Sequence, residues 1–204
     1  MKPGYTFKGW YTDDKFVSKI TKISKNATTD YILYAKWEVN TYSVKFHANA
    51  GTGSVQMQKN LVYNKGITLP GADNFVREGY VLIGWNTKKN GSGDIYLLND
   101  PLLETTGIAV KNKATVTLYA LWQPIEHSIT YVYEDVQGNV ISGEEVFNEN
   151  PATYTIEKDI WLKSPEMAGY RFKGWYNVEG KRVILVKKTW KEDITLIGKW
   201  EVRE

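Results

Sequence analysis

The chain has 204 residues, 42% of them hydrophobic and 24% charged, with a formal net charge of +3. That hydrophobic fraction can build a core and excludes a disordered tail; residues 1–39, 40–124 and 125–204 carry +3, +3 and −3, so no segment is basic enough to make nucleic acid the default partner. Cysteine is absent, which excludes disulfides, thiol catalysis and thiolate metal sites, and two histidines exclude any multi-histidine cluster beyond a pair.

Taken in chain order, the first landmark is Gly4-Tyr5-Thr6-Phe7-Lys8-Gly9-Trp10-Tyr11, with Leu33-Tyr34-Ala35-Lys36-Trp37 behind it. Tyr42, Val44 and Phe46 then alternate with Ser43 and Lys45, the period-two pattern of a half-buried strand. The Asn/Gly-rich stretch Asn49–Ser54 permits the positive φ of a hairpin turn, and Val55–Tyr63 reads as the return strand. Asn64-Lys65-Gly66 and Pro70-Gly71 punctuate the next stretch, and Ala72–Arg77 has room for one short helical turn. Tyr80–Thr87 reads as a strand, Asn90-Gly91-Ser92-Gly93 turns the chain, and Val116, Leu118 and Ala120 alternate into a strand ending at Trp122. The remainder opens with Ile129-Thr130-Tyr131-Val132-Tyr133 and a turn at Gln137-Gly138-Asn139.

These landmarks repeat. Gly4–Tyr11 recurs as Gly169-Tyr170-Arg171-Phe172-Lys173-Gly174-Trp175-Tyr176, and more loosely as Gly79-Tyr80-Val81-Leu82-Ile83-Gly84-Trp85-Asn86. Leu33–Trp37 recurs as Leu118-Tyr119-Ala120-Leu121-Trp122 and Leu196-Ile197-Gly198-Lys199-Trp200. Six of the eight Trp therefore occupy repeat positions, and only Trp161 and Trp190 are extra. The spacing divides the chain into a closing half-repeat, 1–39, without an opening segment; a complete repeat, 40–124; and a complete, divergent repeat, 125–204. Glu38-Val39-Asn40 and Gln123-Pro124-Ile125 are short junctions. An array interrupted in mid-unit reads as a piece of a longer protein.

Each unit is predicted to be a small mixed domain of about 80 residues, mainly β with at most one short helix, which argues against an α/β enzyme fold. A unit of this size is marginal on area grounds. A buried aromatic removes roughly 150–250 Å² from water, so the repeated Trp, Tyr and Phe can replace disulfides as a core. The other reading of the aromatics, a solvent-facing platform for sugar or peptide, fits Trp161 and Trp190 better than the repeated six.

Residues that suggest chemistry have plainer readings. Gly51-Thr52-Gly53-Ser54 lacks the Lys and helix start of a phosphate cradle and reads as a turn. His47 and His127, one at or near the opening strand of each full repeat, are expected to be surface or strand-edge residues. Asp13-Asp14, Glu134-Asp135, Glu144-Glu145 and Glu192-Asp193 are adjacent carboxylates, but strand neighbours point to opposite faces, so adjacency makes no acid–base pair. Lys181, Arg182, Lys187, Lys188 and Lys191 read as a solvated face. No G-x-S-x-G or H-E-x-x-H occurs, no apolar run reaches the roughly 20 residues of a membrane span, and no catalytic, cofactor or metal residue is assigned.

The pairing of G-Y-x-F-x-G-W-Y with L-Y-A-x-W, behind a Y-x-V-x-F strand and an Asn/Gly-rich turn, resembles the Listeria–Bacteroides repeat, also called the internalin B-repeat. The opening of the last copy, Tyr131–Asn139, is also similar to mucin-binding-type repeats of bacterial adhesins. The resemblance implies a β-grasp-like, ubiquitin-like fold in a multi-repeat protein of the bacterial cell surface or cell wall, secreted, without shared catalytic residues and without a cofactor. The expected role is a non-catalytic stalk or spacer presenting other domains; the alternative is an adhesin-type binding module for a host or envelope glycan or protein. Because a half-domain leaves an unpaired edge, residues 1–39 are expected to borrow a strand, from repeat two or from a neighbouring molecule by swapping.

Overall fold

The structure, a computed structural model, describes residues 1–98, 108 and 111–203. It is mainly β and falls into two compact units, residues 1–77 with 82–122 and residues 78–81 with 123–204.

In the first unit the Gly4–Tyr11 motif supplies β1 (Tyr5–Tyr11), which pairs antiparallel with the short β2 (Lys19–Ile20) and with β3 (Tyr34–Val39). Gly9, at φ 127°, absorbs a bulge between Phe7 and Gly9 in a conformation that a side chain rarely tolerates. The alternating Tyr42–Phe46 segment forms β4 (Thr41–His47), with Tyr42, Val44 and Phe46 all buried as period two requires. The connection after β4 is longer than a tight hairpin. Asn49 and Ala50 take positive φ, and β5 (Thr52–Gly53) leaves to pair elsewhere before the return strand β6 (Gln58–Val62) runs back along β4. The partner of β5 is β7 (Phe75–Val76), which corrects the helical turn expected over Ala72–Arg77. Only a turn closed by Asn74 N–H on Gly71 C=O precedes it, and an extended backbone lets Phe75 bury its ring completely.

Strands β8 (Tyr80–Asn86), β9 (Ile95–Leu97) and β10 (Ala114–Pro124) complete a sheet of order β6-β4-β10-β8-β9. Its centre is the parallel pair β4–β10, in register from Tyr42 opposite Ala114 to His47 opposite Tyr119. Trp85 is wholly buried between Phe46 and Phe75, at ring separations of 4.8 and 5.0 Å, and its indole N–H reaches Pro70 C=O at 3.1 Å.

The second unit repeats the plan. Strands β11 (His127–Asp135), β12 (Thr153–Tyr154), β13 (Ile160–Trp161), β14 (Tyr170–Tyr176), β15 (Arg182–Val183), β16 (Leu185–Val186) and β17 (Ile194–Val202) form a sheet β12-β11-β17-β14-β15 and a separate pair β13-β16. Again the first and last long strands, β11 and β17, are parallel neighbours. One 3₁₀ turn, Gly143–Glu145, is the helical content among the described residues. Trp175 and Trp200 are buried, and Phe172 touches both at 5.1 Å. The bulge recurs between Phe172 and Gly174 (φ 141°), and the cross-strand pair Lys8–Glu38 at 2.8 Å recurs as Lys173–Glu201 at 2.9 Å.

One backbone bond closes all three copies of the motif. Asn40 N–H donates to Gly4 C=O at 2.8 Å, Ile125 N–H to Gly79 at 2.9 Å, and Arg203 N–H to Gly169 at 2.9 Å. In the first unit this closure extends into an ordered junction. Buried Asn40 accepts Thr6 Oγ1–H on its side-chain oxygen at 2.6 Å and Tyr63 N–H on its carbonyl at 3.0 Å. Gly4 backs directly onto the Tyr63 ring; a Cβ there would lie 1.9 Å from a ring carbon, and its φ of 74° disfavours any side chain as well.

Among the described residues, 1–39 borrow no strand from repeat two. Among the described residues β3 pairs with β1 alone, because β4 is already flanked by β6 and β10.

Candidate functional site

Three of the carboxylates singled out in the sequence, Asp13, Asp135 and Asp193, serve as local caps. Asp13 accepts the backbone N–H groups of Lys15, Val17 and Ser18 at 2.7–3.1 Å, and these bonds, that from Val17 foremost, hold its carboxyl below the usual range. Asp135 is held low by the Asn139 side chain and backbone, and Asp193 by the Ser128 N–H at 2.7 Å. Glu134 pairs with Lys199, and Glu144 and Glu145 lie on the 3₁₀ turn capped by Ser142. A general acid at neutral pH needs a carboxyl pushed upward, the opposite of the environments of Asp13, Asp135 and Asp193.

His47 and His127 do not occupy equivalent places. His47 ends β4, where its Nδ1 accepts Asn49 N–H at 3.0 Å, whereas His127 begins β11 beside the Tyr154 ring. In the Gly51–Ser54 loop, a Cβ on Gly51 would meet the Trp122 ring at 2.5 Å, and Thr52 and Gly53 are committed to β7. The loop therefore packs on an indole and presents no anion cradle. Among the described residues no group of three or more acidic or histidine side chains is placed to hold a metal ion.

The two extra Trp part company. Trp190 is half-buried against the core of the second unit. Trp161 is 70% exposed. The cause is strand alternation: in the β13–β16 pair Ile160 and Val186 face the core, so Trp161 must face out. It stands on the rim of an open cleft of about 450 Å³ lined by Glu149, Pro151, Tyr154, Asp159 and Lys163. Several charged groups on that rim have partners. Lys163 pairs with Glu149 at 2.8 Å, which lowers the Glu149 carboxyl, and Asp159 accepts Lys188 N–H at 2.8 Å. Asn150 clamps Lys163 from both sides, accepting its N–H at 2.7 Å and donating to its C=O at 2.9 Å. The site offers a flat apolar ring within a polar frame in which Glu149 and Lys163 neutralise each other.

A second exposed aromatic surface lies on the three-stranded sheet. Phe7 and Trp10 are exposed there at 42% and 46%, with Trp37 half-buried and 5.2 Å from Phe7. The aromatic repeat alone places these rings in a core; the missing opening segment is the signal that they are uncovered.

The sequence profile of the Listeria-Bacteroides repeat domain matches residues 1–36, 42–121 and 127–199. The chain belongs to this repeat family. Among curated relatives, a protein of Evansella cellulosilytica carrying the provisional name Gly-rich membrane protein is 29% identical over all of this chain and 23% of its own length. A second protein of that organism, provisionally named a membrane protein, is 28% identical over 98% of this chain and 27% of its own length. The chain thus spans about a quarter of the relatives it matches. No solved structure matches it. Among the described residues of this Listeria-Bacteroides repeat chain, no helix is long and apolar enough to cross a membrane.

Proposed function

We propose that this chain is a non-catalytic segment of a bacterial cell-surface protein, divided as 1–39, 40–124 and 125–204, and that it works outside the cell as a stalk or spacer presenting other domains. The observation that carries this reading is where the repeated residues went. In the two complete repeats they supply cores, in all three copies closing bonds and, at Asn40 and Gly4, an ordered junction, and among the described residues they converge on no repeated polar site. Membership of a repeat family, and relatives about four times longer with membrane-protein names, support the same reading. Small-angle scattering on the chain and on arrays with one and two added repeats tests it: the maximum dimension should grow by a constant increment per repeat. A compact globule whose dimension does not grow would count against a spacer.

Trp161 favours a second reading, an adhesin-type contact with a host or envelope glycan or protein, because an indole left 70% in water is a common anchor of recognition surfaces. A glycan array and a host-protein pull-down, each run with the parent chain and with Trp161→Ala, separate the two. Hits lost on substitution favour binding; an empty array and pull-down leave the spacer role alone.

A further inference from the structure

The two complete repeats anchor their central indoles in the same way, and this sets up an equivalence between them. Trp85 donates to Pro70 C=O and Trp175 to Lys163 C=O. Three and two residues before the acceptor stand Ile67 and Thr68 in the middle repeat, Ile160 and Trp161 in the last. Ile67 is buried and Ile160 packs against its core, while Thr68 and Trp161 are both exposed. A threonine therefore satisfies the fold at this position, and the indole of Trp161 is an addition that the core does not require.

The cleft beside that ring is held from both sides. The Tyr131 hydroxyl donates to Pro151 C=O at 2.9 Å, and the Trp175 N–H donates to Lys163 C=O at 2.9 Å. These two rings lie 5.0 Å apart, so one aromatic pair fixes both walls. Such a platform is set before a ligand arrives, which lowers the ordering cost of binding. Charge and shape then narrow the ligand. Lys158 and Lys163 are matched in number by Glu149 and Asp159, so the lining carries no net formal charge. Tyr154, the other aromatic of the lining, is buried, which leaves one flat ring in place of the aromatic-lined groove that grips a proline-rich peptide. The Thr153 hydroxyl and the Lys158 ammonium have no protein partner among the described residues and remain available to a ligand.

We propose that this cleft is a carbohydrate subsite for a neutral pyranose with equatorial ring substituents, of the glucose or N-acetylglucosamine type. Such a sugar presents a face of C–H bonds that stacks on the Trp161 indole, and its edge hydroxyls reach Thr153 and Lys158. The inference rests on the contact reading of Trp161 and names the ligand class for it.

The full chain, isotopically labelled, is titrated with chitotetraose and with cellotetraose while the Trp161 indole resonance and the backbone amides of Thr153, Lys158 and Lys163 are followed. Saturable shifts centred on that group are expected. Trp161→Thr, which installs the residue of the middle repeat, should weaken binding at least about tenfold and leave the denaturation midpoint where it was. Tetragalacturonate, an acidic control, should bind no more tightly than the neutral probes. The proposal is overturned if neither neutral probe moves these resonances, if Trp161→Thr binds as the parent does, or if tetragalacturonate binds more tightly. Silent oligosaccharides together with a host protein whose binding is lost on Trp161→Ala would sink the sugar assignment and keep the contact reading; an empty array and pull-down would sink both. Retention on isolated cell-wall sacculi, or hits among host glycans of the same configuration, would each support the proposal and would tell an envelope source from a host one.

Discussion

The indoles of this chain are distinguished by where their N–H groups go. Trp85 donates to Pro70 C=O, Trp175 to Lys163 C=O and Trp122 to Ala48 C=O, at 2.9–3.1 Å, whereas the buried Trp200 N–H has no partner among the described residues. Truncating a fully packed ring removes its burial and leaves a cavity, so Trp85→Ala and Trp175→Ala should each destabilise by about 3–5 kcal/mol, while Trp161→Ala should stay within about 0.5 kcal/mol. Chemical denaturation followed by circular dichroism measures all three. Conversion to Phe isolates the polar atom. Trp85→Phe strands the Pro70 carbonyl and Trp200→Phe strands nothing, so the second should be milder by about 1 kcal/mol. Tyrosines of the second unit set its alkaline limit. Burial pushes the Tyr131 phenol up to about 12, and burial likewise raises Tyr133 and Tyr154. With folded values above the unfolded one near 10, their contribution is complete below that pH and is lost as pH rises through the folded values. Stability of residues 123–204 should therefore be insensitive to tyrosine ionisation up to about pH 10 and should fall between about pH 10 and 12, read from denaturation midpoints at stepped pH.

Among the elements, the opening strands, the closing motifs and the core positions are legible in the sequence because side-chain alternation and aromatic spacing are local signals. Tyr42, Val44 and Phe46 declare their buried face within five residues. The pairing of β4 with β10 is not legible, since its partners lie some 70 residues apart and parallel register leaves no turn signature between them. The β5–β7 pair is hidden for a related reason. Asn49–Gly53 carries the composition of a tight turn, yet the connection is spent reaching Phe75. At the candidate site the non-repeated position of Trp161 is visible, but its exposure depends on Ile160 winning the inward face, a choice made by tertiary packing. Asn40 reads as an ordinary junction residue; its burial shows only once Thr6, Gly4 and Tyr63 are assembled around it. The Gly4–Tyr63 junction predicts that Gly4→Ala loosens the link between β1 and β6 while leaving the β4–β10 core intact. Selective line broadening of Tyr5 and Tyr63, with the Trp85 resonances unmoved, would register that outcome.

At the scale of the whole molecule, the parallel pairs decide how the chain answers to tension. In each complete repeat the polypeptide enters at the start of one central strand and leaves at the end of its parallel neighbour, so the two points of attachment lie at opposite ends of one ladder. A pull along the chain loads the bonds between β11 and β17, from Ile129–Ile194 to Asp135–Trp200, together and in shear, where an antiparallel hairpin would be unzipped one rung at a time. Among the described residues, 1–39 show no such ladder: β1 and β3 are antiparallel neighbours. Stretched between its ends, the chain should show two separate high-force events, one for each complete repeat, in a single-molecule pulling trace. Such laddered repeats resist a pull as a cable does, holding until a force at which many bonds must fail at once.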